Sequence, residues 1–187
     1  MPKKDFTMRD ILRVTVGFNR GTSTLSKAIQ SVDDSFFNHV WLGITYPTVE
    51  LLVESLEHGI QLTPREHLER AKKAGKLTTY YEVELPHLSQ KDRTAIYDRA
   101  LTVYGRGYDF KQLLRYLLWL KLGNIFKKSV LSRNDSDRFT CNELVIYTLK
   151  PIVQIFKHTD YSYTPERIFR LLHDGKTSKE IFGKARG

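Results

Sequence analysis

Between Asn38 and Tyr46 the side chains alternate with a period of two. Val40, Leu42, Ile44 and Tyr46 share one face, while His39, Trp41, Gly43 and Thr45 share the other. This is the pattern of a β-strand with at least one buried face. Val49 to Leu56 reads as a second strand, and Pro47, which cannot donate to a ladder, belongs in the connection. A loop over Thr45 to Thr48 sets Val40 opposite Val53, Leu42 opposite Leu51 and Ile44 opposite Val49, so that face is apolar throughout. On the other face Trp41 then meets Leu52, and His39 meets Glu54. A one-residue slip mixes the faces; a two-residue slip keeps them and leaves His39 diagonal to Glu54.

Ile11 to Phe18 and Thr78 to Leu85 also read as strands. Thr24 to Val32 carries Leu25, Ala28, Ile29 and Val32 at helical spacing. Pro64 to Ala74 reads as a charged surface helix with Thr63 as N-cap, Pro64 at its first position and Gly75 just beyond it. Ser89 to Val103 and Thr164 to Leu172 read as further helices, and Asp109 to Leu122 as a helix apolar almost all round. Strands in the first half and helices in the second predict an α+β fold.

Composition narrows the function classes. The 187 residues include 30 Lys+Arg and 21 Asp+Glu, a formal charge of +9, and one cysteine. That length suits one domain over 1–187, with a basic tail at 176–187 that reads as flexible. The lone Cys141 excludes a disulfide framework and a Cys-rich zinc module. No apolar signal region follows the basic N-terminus. Leu113 to Phe126, the most apolar stretch, is interrupted by Arg115, Lys121 and Asn124 and is too short to span a membrane. A soluble, cytoplasmic protein is expected. Serine-hydrolase elbow, P-loop and zinc-protease motifs are missing from the sequence, so no cofactor or metal is expected. His58, His67, His87, His158 and His173 are scattered and read as surface or structural.

Cys141 has a local context. Thr140 and Glu143 make the S/T-x-x-E pattern of a capping box before the apolar run Leu144 to Leu149. That makes Cys141 the first residue of a helix that Pro151 ends. A thiol there meets unpaired N–H groups and the positive end of the helix dipole, which lower its pKa, and the same N–H groups can hold an oxyanion. Each feature has a plainer reading: a free cysteine is commonly a small buried hydrophobe, and a His–Glu pair across strands is commonly structural.

In combination these segments resemble the papain-like superfamily in its circularly permuted form, the NlpC-type amidases and peptidases, and specifically the YiiX-like branch. The resemblance lies in Ser35-Phe36-Phe37-Asn38-His39-Val40-Trp41-Leu42-Gly43-Ile44 and in Val53-Glu54-Ser55-Leu56 followed by Gly59-Ile60. Gly105-Arg106-Gly107-Tyr108-Asp109 and Phe139-Thr140-Cys141-Asn142-Glu143-Leu144-Val145 complete it, in the family's order. It implies an antiparallel sheet packed against helices with the nucleophile at a helix N-terminus. Cys141 would be that nucleophile, His39 the general base and then acid, and Glu54 the residue orienting His39. Tyr108 would line the oxyanion site. Asn142 replaces the family's serine, and Trp41 stands where small residues are usual, which would narrow the cleft.

The first expectation is a cysteine hydrolase acting on an amide or peptide bond, with a peptide, cell-wall or lipid-derived amide or ester as substrate. One alternative is an acyltransferase or thioesterase working on lipid acyl groups with the same residues. Another is an inactive papain-like scaffold used for binding, in which Lys121, Lys127, Lys128 and Arg133, near Tyr116 and Trp119, contact nucleic acid or an anionic membrane. The 109–137 segment is a candidate lid or membrane-docking insert.

Overall fold

Three strands at the centre of the sheet carry the site, and their order follows from where the apolar residues lie. In the computed structural model, which describes residues 11–33, 35–114, 137–156 and 163–174, β1 (Arg13–Gly21) pairs antiparallel with β2 (His39–Thr45). Val14 lies opposite Ile44, Val16 opposite Leu42 and Phe18 opposite Val40, so one face of both strands is apolar. Adding β3 (Glu50–Leu56), β4 (Gly59–Pro64) and β5 (Leu77–Glu84) gives an antiparallel sheet ordered β4-β3-β2-β1-β5.

The β2–β3 register differs by two residues from the first alignment. Leu42 faces Val53, Gly43 faces Leu52, Ile44 faces Leu51 and Thr45 faces Glu50. The turn is Tyr46 to Val49, closed by the Tyr46 N–H donating to the Val49 carbonyl at 2.8 Å. Pro47 thereby takes the second turn position, which its fixed φ suits, rather than the third, where it is disfavoured. Parity survives, so both faces keep their residues.

Thr63 and Pro64 end a strand rather than open a helix. β4 was not expected from the sequence; it is an edge strand, where a terminal proline withholds no needed ladder donor. The surface helix α2 (Glu66–Lys73) starts after Arg65, whose guanidinium reaches Glu50 and Glu82. Gly75 follows it with φ +68°, as its place past the helix end predicted. α3 (Gln90–Thr102) begins at Ser89, whose hydroxyl accepts the Asp92 N–H. α1 (Thr24–Asp33) flanks β1.

The helix α4 opens at Phe110, capped by Asp109, which accepts the Gln112 N–H at 2.8 Å, and is described to residue 114. α5 (Cys141–Leu149) packs on β2 and β3, and α6 (Pro165–Asp174) packs against β5. Leu144, Val145, Ile146 and Leu149 of α5 meet Val40, Leu42, Ile44 and Val53 in the main core.

Trp41, on the opposite sheet face, packs with Leu52, Leu68 and Leu77. It is fully buried in that cluster, with α2 supplying Leu68, and narrows no cleft. Its ring occupies space left by Gly17, where a Cβ would lie 2.0 Å from it. No described helix is long and apolar enough to cross a membrane. Lys121, Lys127, Lys128, Arg133, Tyr116 and Trp119, most of the 109–137 segment, and the 176–187 tail lie outside the described residues.

Candidate active site

The sequence places a capping box at the start of α5, and the local geometry matches it. Thr140 has extended backbone angles of φ −79° and ψ 169°. The Glu143 carboxylate accepts the Thr140 N–H at 2.9 Å and its hydroxyl at 2.8 Å. Cys141 therefore begins the helix, buried and in the thiol form's least comfortable place for a charge unless partners are supplied. They are supplied: the His39 imidazole and the backbone N–H groups of Val40 and Asn142 hydrogen-bond the sulfur.

The chain before Cys141 is held from two sides. β7 (Arg138–Phe139) runs parallel to β6 (Gly107–Tyr108), with Tyr108 level with Phe139. The Phe139 carbonyl accepts the buried Ser55 hydroxyl at 2.6 Å and the Asp109 N–H at 3.3 Å. Ser55 lies on β3 directly after Glu54, so one strand both braces the segment before Cys141 and presents the carboxylate. Gly59, at φ +106°, lets the Arg106 carbonyl approach and accept the Ile60 N–H, since a Cβ there would sit 2.4 Å from that oxygen.

His39 opens β2, where Asn38 accepts the Gly21 N–H at 3.0 Å and holds the strand's start against β1. His39 Nε2 lies 3.2 Å from Glu54 Oε2, which leaves Nδ1 for the sulfur. Glu54 is 5% exposed and is also held by the Thr63 hydroxyl of β4. Thr63, read from sequence as a helix cap, is in effect a support for Glu54. The exposed His67 of α2 adds a weaker field on the same carboxylate. Strand register brings Thr63 diagonal to Glu54, a relationship that depends on the unexpected β4.

These contacts set the charges. Burial opposes a charged imidazole, but its hydrogen bonds to Cys141 and Glu54, and their negative fields, push His39 up to about 10. Burial pushes the Cys141 thiol up, yet the bond and charge of His39, aided by the Val40 and Asn142 N–H groups, hold it below the ordinary thiol range. Glu54, despite the opposing effect of burial, is held below the ordinary carboxyl range by His39 and Thr63. These contacts favour a thiolate–imidazolium pair backed by a carboxylate, and such a pair can attack a carbonyl carbon and deliver a proton to its leaving group.

Tyr108 is buried, and its hydroxyl is driven further from ionisation by burial first and then by the charges of Cys141, Glu143 and Asp109. It is thus a neutral donor in the neighbourhood of the thiol. Among the other histidines, His58 is exposed beside Glu57 and His173 stacks on Phe169.

No family model matches the chain, and no curated protein does. A solved structure does: that of the metalloprotein YiiX from Escherichia coli O157:H7, at 20% identity and a TM-score of 0.53, over 94% of this chain and 84% of that one. The two share a mixed α+β fold with an antiparallel sheet and helices. Among the described residues, no group of three or more His, Cys, Asp or Glu side chains is placed to hold a metal ion.

Proposed function

We propose that this chain is a cysteine hydrolase of the permuted papain-like type, cleaving an amide or peptide bond through a thioester on Cys141. The observation that carries the reading is a shared imidazole: His39 hydrogen-bonds both a thiol at a helix start and a buried carboxylate. In this reading the Cys141 thiolate attacks the substrate carbonyl and forms the C–S bond. The N–H groups at the start of α5, with Tyr108 alongside, take the charge that develops on the oxygen. His39 gives its proton to the departing nitrogen as the C–N bond breaks. It then takes a proton from water, which attacks the thioester carbon; the C–S bond breaks, releasing the acid and restoring the Cys141 thiolate beside the protonated imidazole. Glu54 keeps the imidazole oriented throughout, and Thr63 keeps Glu54 oriented.

Intact-mass spectrometry during turnover of a panel of peptide, cell-wall and acyl amides tests this. An acyl adduct on the single cysteine, sensitive to hydroxylamine and lost in Cys141→Ala together with hydrolysis, is the expected result. Hydrolysis that persists in Cys141→Ala overturns the reading.

A further inference from the structure

Near the His39 end of β2, a pocket of about 480 Å³ is lined by Arg20, Lys27, Gln30, Ser31, Ser35 and Phe36. Two cations and three neutral polar side chains share it with one aromatic ring, and among the described lining residues none is a carboxylate. The Arg20 guanidinium lies over the Phe36 ring, 4.8 Å from its centroid. A ring in this position helps hold the guanidinium, whose N–H groups suit a planar or tetrahedral anion. Gln30 donates one amide hydrogen to the Gly21 carbonyl at 3.1 Å and keeps its second. Two positive charges gathered in one concavity repel each other and are relieved by an anion between them.

The pocket's position connects it to the site. Arg20 follows Asn19, which pairs with His39, and Phe36 precedes His39 by three residues. Strand alternation puts Arg20 on the same sheet face as Phe18, which shares the main core cluster with Cys141. The structure assigns to this pocket the binding of a carboxylate or phosphate group. Resting on the hydrolase reading above, that group is the acidic end of the substrate whose carbonyl meets Cys141.

Amide-resolved NMR titrations of the full chain with inorganic phosphate and, separately, with acetate test the pocket. Saturable shifts at Gly21, Gln30 and Phe36 are expected, and the stronger of the two probes identifies the anion. The Arg20→Gln/Lys27→Gln variant is expected to bind at least tenfold more weakly, with iodoacetamide labelling of Cys141 unchanged. Lys27→Gln alone, on an exposed helical position, keeps the test available if the double variant does not fold, with a severalfold loss expected.

Shifts that do not saturate, or that are the same in the variants, overturn the assignment. For the substrate half, N-acyl dipeptides with a free C-terminal carboxylate are compared with their C-terminal amides. The acid is expected to have the higher kcat/KM, and Arg20→Gln to remove that preference while sparing the amide. Equal rates for the two overturn the substrate half. Arg20-dependent phosphate binding in a protein whose Cys141 forms no acyl adduct would sink the hydrolase reading and leave the anion pocket standing.

Discussion

Glu54 Oε2 reaches His39 Nε2 at 3.2 Å although the two residues are not opposite one another in the ladder. With Leu42 paired to Val53, the register carried one step further puts Trp41, not His39, across from Glu54. The contact is a diagonal one, which a carboxylate and an imidazole can span where shorter side chains would not. A diagonal contact leaves the carboxylate room for a second partner, and Thr63 takes it.

Replacing Glu54 therefore acts on the thiol through the histidine. Glu54→Gln removes the negative charge that helps hold His39 protonated, so the thiolate loses part of its counter-charge. On the acid limb of its pH profile, iodoacetamide labelling of Cys141 is expected to slow by about tenfold, the effect of one pKa unit. Thr63→Val should shift the labelling profile the same way but less, and Thr63→Ser should restore it. Identical profiles in all four proteins would remove Glu54 from the relay.

The pH dependence has a definite sign. The thiol is held below its ordinary range and His39 is raised to about 10. Labelling should reach its plateau at a lower pH than an ordinary thiol does and fall on the acid side, as the thiolate takes up a proton. The proposed hydrolysis would need the imidazolium as well and should also fall as pH rises through about 10. In His39→Ala burial acts on the thiol without opposition from the imidazole, so its apparent pKa should climb above the wild-type value, with at least a roughly tenfold loss of labelling at pH 7. A His39→Ala profile that matched wild type would contradict the pairing.

Ser55→Ala tests how the segment before Cys141 is held. The hydroxyl is buried and donates to the Phe139 carbonyl at 2.6 Å, two residues before Cys141. Its loss leaves that oxygen with the weaker Asp109 contact and should cost about 1–3 kcal/mol. Urea unfolding should show a lower midpoint with an unchanged m-value. An unchanged midpoint would mean that water replaces the hydroxyl without loss.

Gly17→Ala tests the other face of the sheet. The added Cβ would lie 2.0 Å from the Trp41 ring, whose neighbours Leu52, Leu68 and Leu77 leave it little freedom to withdraw. Overpacking of this kind is expected to destabilise by about 1–3 kcal/mol, and Trp41→Phe in the same chain to recover part of it. Additive losses in the double variant would show that the ring is not what the methyl meets.

Local information was enough for some parts of this protein. Thr140 and Glu143 are one helical turn apart, so their capping box, and with it the place of Cys141 at a helix start, could be read from neighbouring residues. The face pattern of β2 was equally legible, because period-two alternation is a property of the strand alone. The register was not, since shifts of two residues keep every apolar residue on the core face; the position of Pro47 within its turn was the available signal. β4 was hidden because Thr63-Pro64 imitates a helix start.

What only the tertiary structure decided are relationships between distant segments. Ser55 meets Phe139 across 84 residues, and Tyr108 pairs with Phe139 through a two-residue ladder too short to carry a pattern. The charge state of Cys141 belongs to this second class as well. A helix start favours a thiolate, burial opposes it, and the balance turns on a histidine from β2 and its carboxylate from β3. By itself the sequence determined that the thiol begins a helix; which groups surround that thiol, and so what charge it holds, depends on contacts that form only when the sheet and α5 close on each other.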